Sequence, residues 1–199
     1  MAITERRLKQ KEQLKELILE VAKSIILKEG WQSVSIRKIA EAINYSLPVV
    51  YKHFESKDAI LEEFVKQGFD MLSNEILIAK STSALPEKQL NNMANAYFKF
   101  AFDHREYYQM MFGLGMPSCE RVSQIPEIGN FSGILINSIK QLTGSKEINE
   151  QTMLKFHTFW SILHGLSSIN MVSMTATPNE MQQRVLQDAV QGFIQNINN

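Results

Sequence analysis

The segment SIRKIAEAINYSLPVVYKHF, residues 35–54, limits the possible folds of this chain more than any other stretch. It contains two short runs with the apolar spacing of a helix, separated by only Asn-Tyr-Ser. Ser35 and Ser46 each precede a run and are suited to cap a helix N-terminus, and Pro48 fits the first turn of the second helix. Helices this short are not stable alone in water, so neighbouring elements must hold them.

The connection between the two runs has the chemistry of a tight turn. Asn44 follows the first run, and asparagine tolerates the left-handed backbone that such a turn requires. We predict that Ile39, Ala40 and Phe54 are core residues that fix the angle between the two helices. Such a pair is a helix-turn-helix, whose second helix lies in the major groove when the motif binds DNA. Short helix pairs also occur in bundles that bind no DNA, so the pattern alone leaves both interpretations open.

The rest of the chain has nearly continuous helical spacing and no strand-like alternation, which predicts an all-α fold. Gly30 suits the end of the first helix, and Ser56 suits the N-cap of the helix that follows the second short run. The longer predicted helices cover residues 4–29, 57–80, 87–112, 131–143, 149–175 and 179–197. In the helix predicted at residues 4–29, the buried stripe is expected to be Leu14, Leu17, Ile18, Val21, Ile25 and Ile26. Residues 113–130 are punctuated by glycine and proline and are predicted to be mainly a loop.

The last two predicted helices carry a large apolar surface. The 149–175 helix is apolar on two opposite faces, and such a helix must be covered on both. One face carries Met153, Phe156, Trp160, Leu163 and Ser167, and the other carries Leu154, Thr158, Ile162, Gly165, Ile169 and Val172. The final helix adds a broad apolar stripe from Val185 to Ile197. We expect these two helices to form a seam with a second copy of the chain; a central helix in a monomeric bundle is the alternative.

Charge is distributed unevenly, although the formal net charge is zero. Residues 1–57 hold 11 Lys and Arg against 7 Asp and Glu, whereas residues 58–199 hold 10 against 14. A basic N-terminal part suits an anionic partner such as DNA. Chance asymmetry in a helical protein is the alternative.

Several classes of protein and site are not expected. The N-terminus has no apolar run typical of a secretory signal, no stretch is apolar enough to cross a membrane, and the single cysteine, Cys119, cannot form an intrachain disulfide. We therefore expect a cytoplasmic protein that does not associate with membranes. The four histidines are scattered and no phosphate-binding glycine loop is visible, so we expect neither an enzyme nor a cofactor. His157, His164 and Cys119 lack the spacing of a metal site.

Beyond these patterns, the sequence SIRKIAEAINYSLPVVYKHFESKDAIL resembles the DNA-binding region of the tetracycline-repressor-like (TetR) transcriptional regulators. The shared features are Ser35, Ile39-Ala40, the Asn44-Tyr45-Ser46 turn, Tyr51, Phe54, Lys57 and Ile60-Leu61. The match covers about residues 10–62; Asn44 replaces the usual glycine and Ile43 the usual alanine. AYFKFAFDHREYYQMMFG and FWSILHGL resemble the ligand domain of one subgroup, with its Trp-x-x-x-His-Gly signature at Trp160, His164 and Gly165.

The resemblance implies a three-helix DNA-binding head at residues 1–55 and a helical ligand-binding and dimerisation domain at residues 56–199. The residues it assigns to DNA are Ser35, Arg37, Ser46, Leu47, Pro48, Val49, Tyr51, Lys52, His53 and Lys57. The polar and basic side chains among them would contact phosphate, except that Lys52 could reach either a base or the backbone, and Arg6 or Arg7 would add contacts from the leading arm. The three apolar ones would contact thymine methyls and sense groove shape. A core aromatic is the alternative role for Tyr51.

The C-terminal helices are rich in aromatic residues and methionine, which suits an apolar pocket of adjustable shape. The residues expected at a ligand are Tyr97, Phe100, Ala101, Tyr108, Met111, Phe112, Phe131, Trp160 and His164. For any one of them, ordinary core packing is the alternative. The expected function is a homodimeric repressor that leaves a palindromic operator when a small hydrophobic ligand shifts the helix that begins after Ser56. The alternative is a DNA-binding activator, or a nucleoid-type protein without small-molecule induction.

Overall fold

The helical spacing of the sequence is realised along nearly all of the described chain. The computed structural model describes residues 2–113, 125–171 and 177–197, with side chains from residue 5 onward. These ranges contain nine α-helices, a 3-10 helix at Trp31–Ser33 and no β-strand, which confirms the all-α prediction. The helices are α1 (Ala2–Glu29), α2 (Ile36–Ala42), α3 (Leu47–Tyr51), α4 (Lys57–Ser81), α5 (Pro86–Asp103), α6 (Arg105–Phe112), α7 (Pro126–Thr143), α8 (Glu150–Asn170) and α9 (Glu180–Gln195).

The chain divides into two packed units, and the division falls within α4, between Phe64 and Val65. In the first unit, α1 packs against the 3-10 helix and α2, and α2 packs against α3. The buried side chains at its centre include Ile18, Ala22, Ile39, Val50, Phe54 and Ile60. Leu17 is 37% exposed, so its place in the predicted stripe was wrong; Leu19 and Ala22 share the inner face with Ile18 instead.

The two short helices form as the sequence predicts. The Ser35 hydroxyl accepts a hydrogen bond from the Lys38 amide at 3.2 Å and so caps α2. Asn44 has φ of 57°, which confirms the predicted left-handed turn. Ser46 is at the N-cap of α3 but its side chain makes no capping hydrogen bond, so that half of the prediction was wrong. The predicted core residues Ile39, Ala40 and Phe54 are at most 4% exposed, which confirms their burial.

The second unit is a bundle around α5. This helix packs against α6, α7, α8 and α9, and α8 packs against both α7 and α9. The α5 side chains Leu90, Met93, Tyr97 and Phe100 are completely buried, because its apolar residues recur every three or four positions along one face. This packing brings the aromatic residues of α5, α6, α7 and α8 into one interior.

Two predicted boundaries in the second unit were wrong. The helix expected at 87–112 is two helices, α5 and α6, because His104 leaves helical geometry with φ of −121° and ψ of 46°. The loop expected at 113–130 ends earlier, since α7 begins at Pro126 with Glu127 in its first turn. Proline at the first helical position costs no hydrogen bond, and an acidic side chain there favours the helix dipole. Residues 114–124 lie outside the described ranges.

The last two helices leave part of their apolar surface uncovered in the single chain. On α8, Leu154 is 57% exposed and Ile169 is 72% exposed; on α9, Met181 is 63% and Val185 43% exposed. These α8 residues belong to the second of the two apolar faces predicted for that helix; another member of that face, Val172, lies outside the described residues. None of the helices in the described ranges has the length and apolar character needed to cross a membrane.

Candidate nucleic-acid interface and interior polar cluster

The ten residues predicted to contact DNA all lie at least partly at the surface of the first unit. In α2 and at its N-terminus, Ser35 and Arg37 are exposed. Around α3, Ser46, Pro48, Tyr51 and Lys52 are exposed, while Leu47, Val49, His53 and Lys57 are partly exposed. Every one of these side chains therefore reaches solvent, as a DNA contact requires.

The first turn of α3 presents apolar groups to solvent. Pro48 is exposed and Leu47 and Val49 are partly exposed, whereas Val50 is fully buried and anchors the helix from its other side. Leu47, Pro48 and Val49 have no side-chain hydrogen-bond donors or acceptors. At a base edge they can contact thymine methyl groups and sense groove shape, but they cannot donate to guanine or adenine.

Lys57, the first residue of α4, is held in place by two groups that precede α2. Its ammonium lies 4.5 Å from the centroid of the Trp31 ring, within the range of a cation–π contact. The same Nζ donates to the Gln32 carbonyl oxygen at 3.4 Å. Sequence reasoning missed Trp31, because a tryptophan 26 residues before a lysine gives no sign that the two meet in space.

His53, at the end of the α3 region, lies in a basic setting. Partial burial and the nearby ammonium of Lys11 lower the pKa of His53 below its usual 6.5, Glu12 opposes this, and Lys15 adds to it. Lys15 also pairs with Glu63 at 2.7 Å. The imidazole is therefore neutral at pH 7, and an approaching phosphate would favour its protonation.

Two tyrosines project from the same region. Tyr51 is 52% exposed, which supports a DNA contact over the core role considered above. Tyr45, in the turn, is 47% exposed, while its backbone N–H is bound to the Ala40 carbonyl at 3.0 Å. Tyr45 was not among the predicted DNA contacts, and its exposure beside Asn44 makes it a further candidate.

Inside the second unit, six of the nine predicted ligand residues form one cluster of rings. Tyr97 contributes from α5, Tyr108 and Phe112 from α6, Phe131 from α7, and Trp160 and His164 from α8. Ring centroids in neighbouring pairs are 4.6 to 6.4 Å apart. Tyr97 and Phe131 are completely buried, whereas Phe112, Trp160 and His164 are partly exposed, so the cluster extends from the interior to the surface.

A chain of hydrogen bonds runs through this cluster. The hydroxyls of Tyr97 and Tyr108 are 3.3 Å apart. The Tyr108 hydroxyl is 2.7 Å from His164 Nδ1, and His164 Nε2 is 3.3 Å from the Ser168 hydroxyl. The Trp160 indole nitrogen and the Ser167 hydroxyl are buried beside this chain without a hydrogen-bond partner.

The titratable groups in this series of hydrogen bonds, Tyr97, Tyr108 and His164, are uncharged at neutral pH. Burial raises the pKa of Tyr97 well above 10, and the adjacent Tyr108 adds to that rise. The nearby Trp160 N–H opposes part of this rise in the Tyr97 pKa, although the indole nitrogen does not meet hydrogen-bond geometry with the Tyr97 hydroxyl. Burial also raises the pKa of Tyr108, against the opposing effect of Tyr97, Ser167 and Ser168, and burial lowers the pKa of His164 below 6.5.

The three remaining predicted ligand residues lie apart from these ring contacts. The Phe100 ring is 4.9 Å from that of His104, whose Nε2 is 3.1 Å from Glu75 Oε1. Ala101 is completely buried on α5. Met111, also completely buried, packs on α4 at Gly68, where an added Cβ would lie 2.5 Å from its Sδ.

The described residues contain no group of three or more His, Cys, Asp or Glu side chains placed to hold a metal ion. From the sequence, His157, His164 and Cys119 were considered as metal ligands and no metal site was expected there. In the structure the His164 ring nitrogens face Tyr108 and Ser168. Cys119 lies outside the described ranges.

Two family models match the chain. The model of the bacterial regulatory proteins of the tetR family matches residues 18–73, which include the helix-turn-helix. The model of the tetracyclin repressor-like C-terminal domain matches residues 90–193, just over half of the chain. Together they match most of both units described above.

Individual relatives agree with this assignment. IcaR of Staphylococcus aureus (strain Newman), the negative transcriptional regulator of the biofilm operon icaADBC, is 30% identical over 137 residues, 68% of this chain and 67% of IcaR. The fold is similar to that of the TetR family regulator PfmR from Thermus thermophilus, at a TM-score of 0.64 and 17% identity over 89% of this chain and 97% of PfmR. It is also similar to that of the fatty acid degradation regulator FadR from Bacillus halodurans, at a TM-score of 0.70 and 14% identity over 90% of this chain and 94% of FadR. The chain therefore belongs to the TetR family of DNA-binding transcriptional regulators, which are not enzymes.

Proposed function

We propose that this protein is a homodimeric cytoplasmic repressor that binds a palindromic operator and leaves it when a small apolar ligand binds the C-terminal domain. The main observation behind this proposal is that the first turn of α3 exposes apolar side chains. Lys52, His53 and Lys57 follow them closely in sequence. Apolar groups at base edges supply sequence preference, and surrounding basic groups supply phosphate affinity. That IcaR is a negative regulator favours repression over activation.

The proposed dimer forms through α8 and α9. The exposed Leu154, Ile169, Met181 and Val185 support this, because apolar side chains of this size on two neighbouring helices favour burial against a matching surface. A two-fold dimer presents two copies of α3, and a palindrome with half-sites about one DNA turn, or a small multiple, apart matches that symmetry.

The proposed ligand domain begins at residue 56, and the DNA-binding head ends at residue 55. The aromatic cluster of the second unit supports a ligand site, since apolar walls with a few polar groups are typical of small-molecule sites. Helix α4 is the proposed transmitting element, because it contains both Lys57 and Gly68, the residue against which Met111 packs. A ligand that favours one arrangement of this helix would shift the protein between DNA-bound and released states only through its differential affinity.

The test is selection of bound sequences from a random DNA pool, followed by footprinting of the selected site. A repressor of this kind should select a palindrome and protect one discrete site. Broad coating of DNA would instead support a nucleoid-type protein. A reporter gene placed behind the selected site separates repression from activation, and release of that site by apolar compounds tests induction.

A further inference from the structure

The interior cluster has unpaired polar groups in an apolar setting. The Trp160 indole nitrogen is buried with no hydrogen-bond partner, and so is the Ser167 hydroxyl, two turns further along the same face of α8. A buried donor without a partner is unfavourable, so buried polar groups in proteins normally have hydrogen-bond partners. Each is a position on this face of α8 where a bound molecule can supply the partner that the protein does not.

A second donor, the Tyr97 hydroxyl, is next to the indole, since the Trp160 N–H opposes part of the rise in the Tyr97 pKa. The Tyr97 and Tyr108 hydroxyls are 3.3 Å apart, which is long for a hydrogen bond between hydroxyls. The Tyr108 hydroxyl has a much shorter contact, 2.7 Å, with His164. Turning the Tyr97 O–H away from Tyr108 therefore gives up only a weak interaction.

The walls around these donors are apolar. The Trp160 ring stacks on Phe156 with centroids 6.0 Å apart and an interplanar angle of 16°. Phe131 and Phe112 lie 6.3 and 6.4 Å from it. Phe112, Trp160 and His164 are partly exposed, so this edge of the cluster reaches the surface.

The charge state of the cluster limits what it can accept. The tyrosines are protonated and His164 is neutral at pH 7, as described above, and tryptophan and serine carry no charge. Burying an ion without an opposite charge costs several kcal/mol. An uncharged oxygen acceptor, in contrast, needs only the N–H and O–H donors that are present.

We propose that the regulator's ligand is an apolar molecule with one uncharged carbonyl oxygen, a ketone, ester or amide, which accepts hydrogen bonds from Trp160 Nε1 and the Tyr97 hydroxyl. This inference rests on the proposed function, in that it assumes a ligand in the second unit. It adds the chemical class of the ligand and the two side chains that select it. It also explains why a tryptophan nitrogen is buried without a partner.

The test uses three probes with the same chain length: 2-nonanone, nonanoate and nonylammonium at pH 7.5. The chain has two tryptophans, so the full-length Trp31→Phe variant reports on Trp160 alone. Titration with 2-nonanone should give a saturable change in Trp160 emission, at an affinity at least about tenfold above that of either ion. Equal or tighter binding of nonanoate, or no saturable response to 2-nonanone, would overturn the proposal. This comparison needs no substitution in the cluster.

A matched pair of variants tests the second donor. Tyr97→Phe should weaken 2-nonanone binding about three- to tenfold, the range expected for one lost hydrogen bond. Tyr107→Phe removes the neighbouring phenol on α6, which bonds Gln67 instead, and should change nothing. Equal affinity in the two variants would contradict the assignment of Tyr97.

DNA binding is measured separately on the unsubstituted chain. If 2-nonanone binds and the operator is not released, induction fails but the ligand class stands. If no DNA site is selected at all, the proposed function fails on its own, whatever the probes do. The failure of each proposal is therefore visible independently of the other.

Discussion

Single side chains around α3 and at the start of α4 divide into two proposed DNA-contact roles. Lys57 carries a fixed charge that Trp31 and the Gln32 carbonyl hold in place, and Val49 carries no polar group at all. A held ammonium suits any phosphate, whereas an apolar side chain at a base edge distinguishes thymine from other bases. Substitutions at the two positions should therefore have different consequences.

Lys57→Ala should weaken binding to all DNA sequences alike. Each phosphate contact contributes about 0.9 to the slope of log affinity against log salt concentration, so a dimer that lacks two contacts should have a slope shallower by about two. Titrations at several salt concentrations measure this. Lys80→Ala, at the other end of the same helix, is the control and should leave the slope unchanged.

Val49→Ala should change which sequence is preferred, with little effect on the salt slope. The reason is that its methyl groups contribute contact at base edges but no charge. Repeating the selection from a random pool with this variant measures the effect. An unchanged selected sequence would mean that the first turn of α3 does not lie against base edges.

His53 should make DNA affinity depend on pH. Its pKa in the free protein is lowered by burial, Lys11 and Lys15, with Glu12 opposing, and a bound phosphate would raise it again. Affinity should therefore increase as pH falls through the His53 pKa of the DNA complex and level off below the His53 pKa of the free protein, because binding takes up a proton in that window. His53→Gln should flatten the profile, whereas His104→Gln in the second unit should preserve it. A profile that His53→Gln leaves intact would exclude the contact.

At the scale of elements, α4 and α6 approach each other closely at Gly68. Gly68 has no side chain, and a Cβ there would lie 2.5 Å from Met111 Sδ and 2.8 Å from its Cγ. Met111 is completely buried, so it has little room to yield. The absence of one methyl group thus allows α6, with two ring-cluster residues, to pack directly on α4.

Gly68→Ala should destabilise the protein by about 1–2 kcal/mol, since overpacking outweighs the better helix propensity of alanine. Gly133→Ala on α7 meets no atom within 4 Å and should instead stabilise by about 0.5–1 kcal/mol. Chemical denaturation measures both. Met111→Ala in the Gly68→Ala background should recover part of the loss, and strict additivity of the two substitutions would contradict direct contact.

For the whole molecule, the proposed dimer depends on the exposed apolar residues of the last two helices. Ile169→Glu should shift the protein from dimer to monomer mass in sedimentation or light scattering, because burying a carboxylate in an apolar seam is costly. Ile78→Glu, at a site on α4 that is 67% exposed, against 72% for Ile169, is the matched control and should remain dimeric. The monomer should also lose affinity for a palindrome, since only one half-site is then held. An unchanged mass for Ile169→Glu would contradict the seam.

Most of the local structure could be predicted from the sequence, because caps and turns depend on residues close together in the chain. Ser35 at the start of α2 and Asn44 in the turn each act through neighbours within a few positions. The break at His104 was missed, since a single residue leaving helical geometry within a continuous apolar pattern has no marker such as proline or glycine. The start of α7 at Pro126 was missed because proline and glycine also mark loops.

The sequence by itself determined the all-α class, the helix-turn-helix and the set of aromatic residues inside the second unit, since periodicity and local hydrogen bonding decide these. Only the tertiary structure decided which distant side chains meet: Trp31 with Lys57, Met111 with Gly68, and Tyr108 with His164. It also decided that the Trp160 nitrogen is buried without a partner. The physical reason is that such contacts depend on how helices far apart in the chain pack, which no short-range pattern encodes.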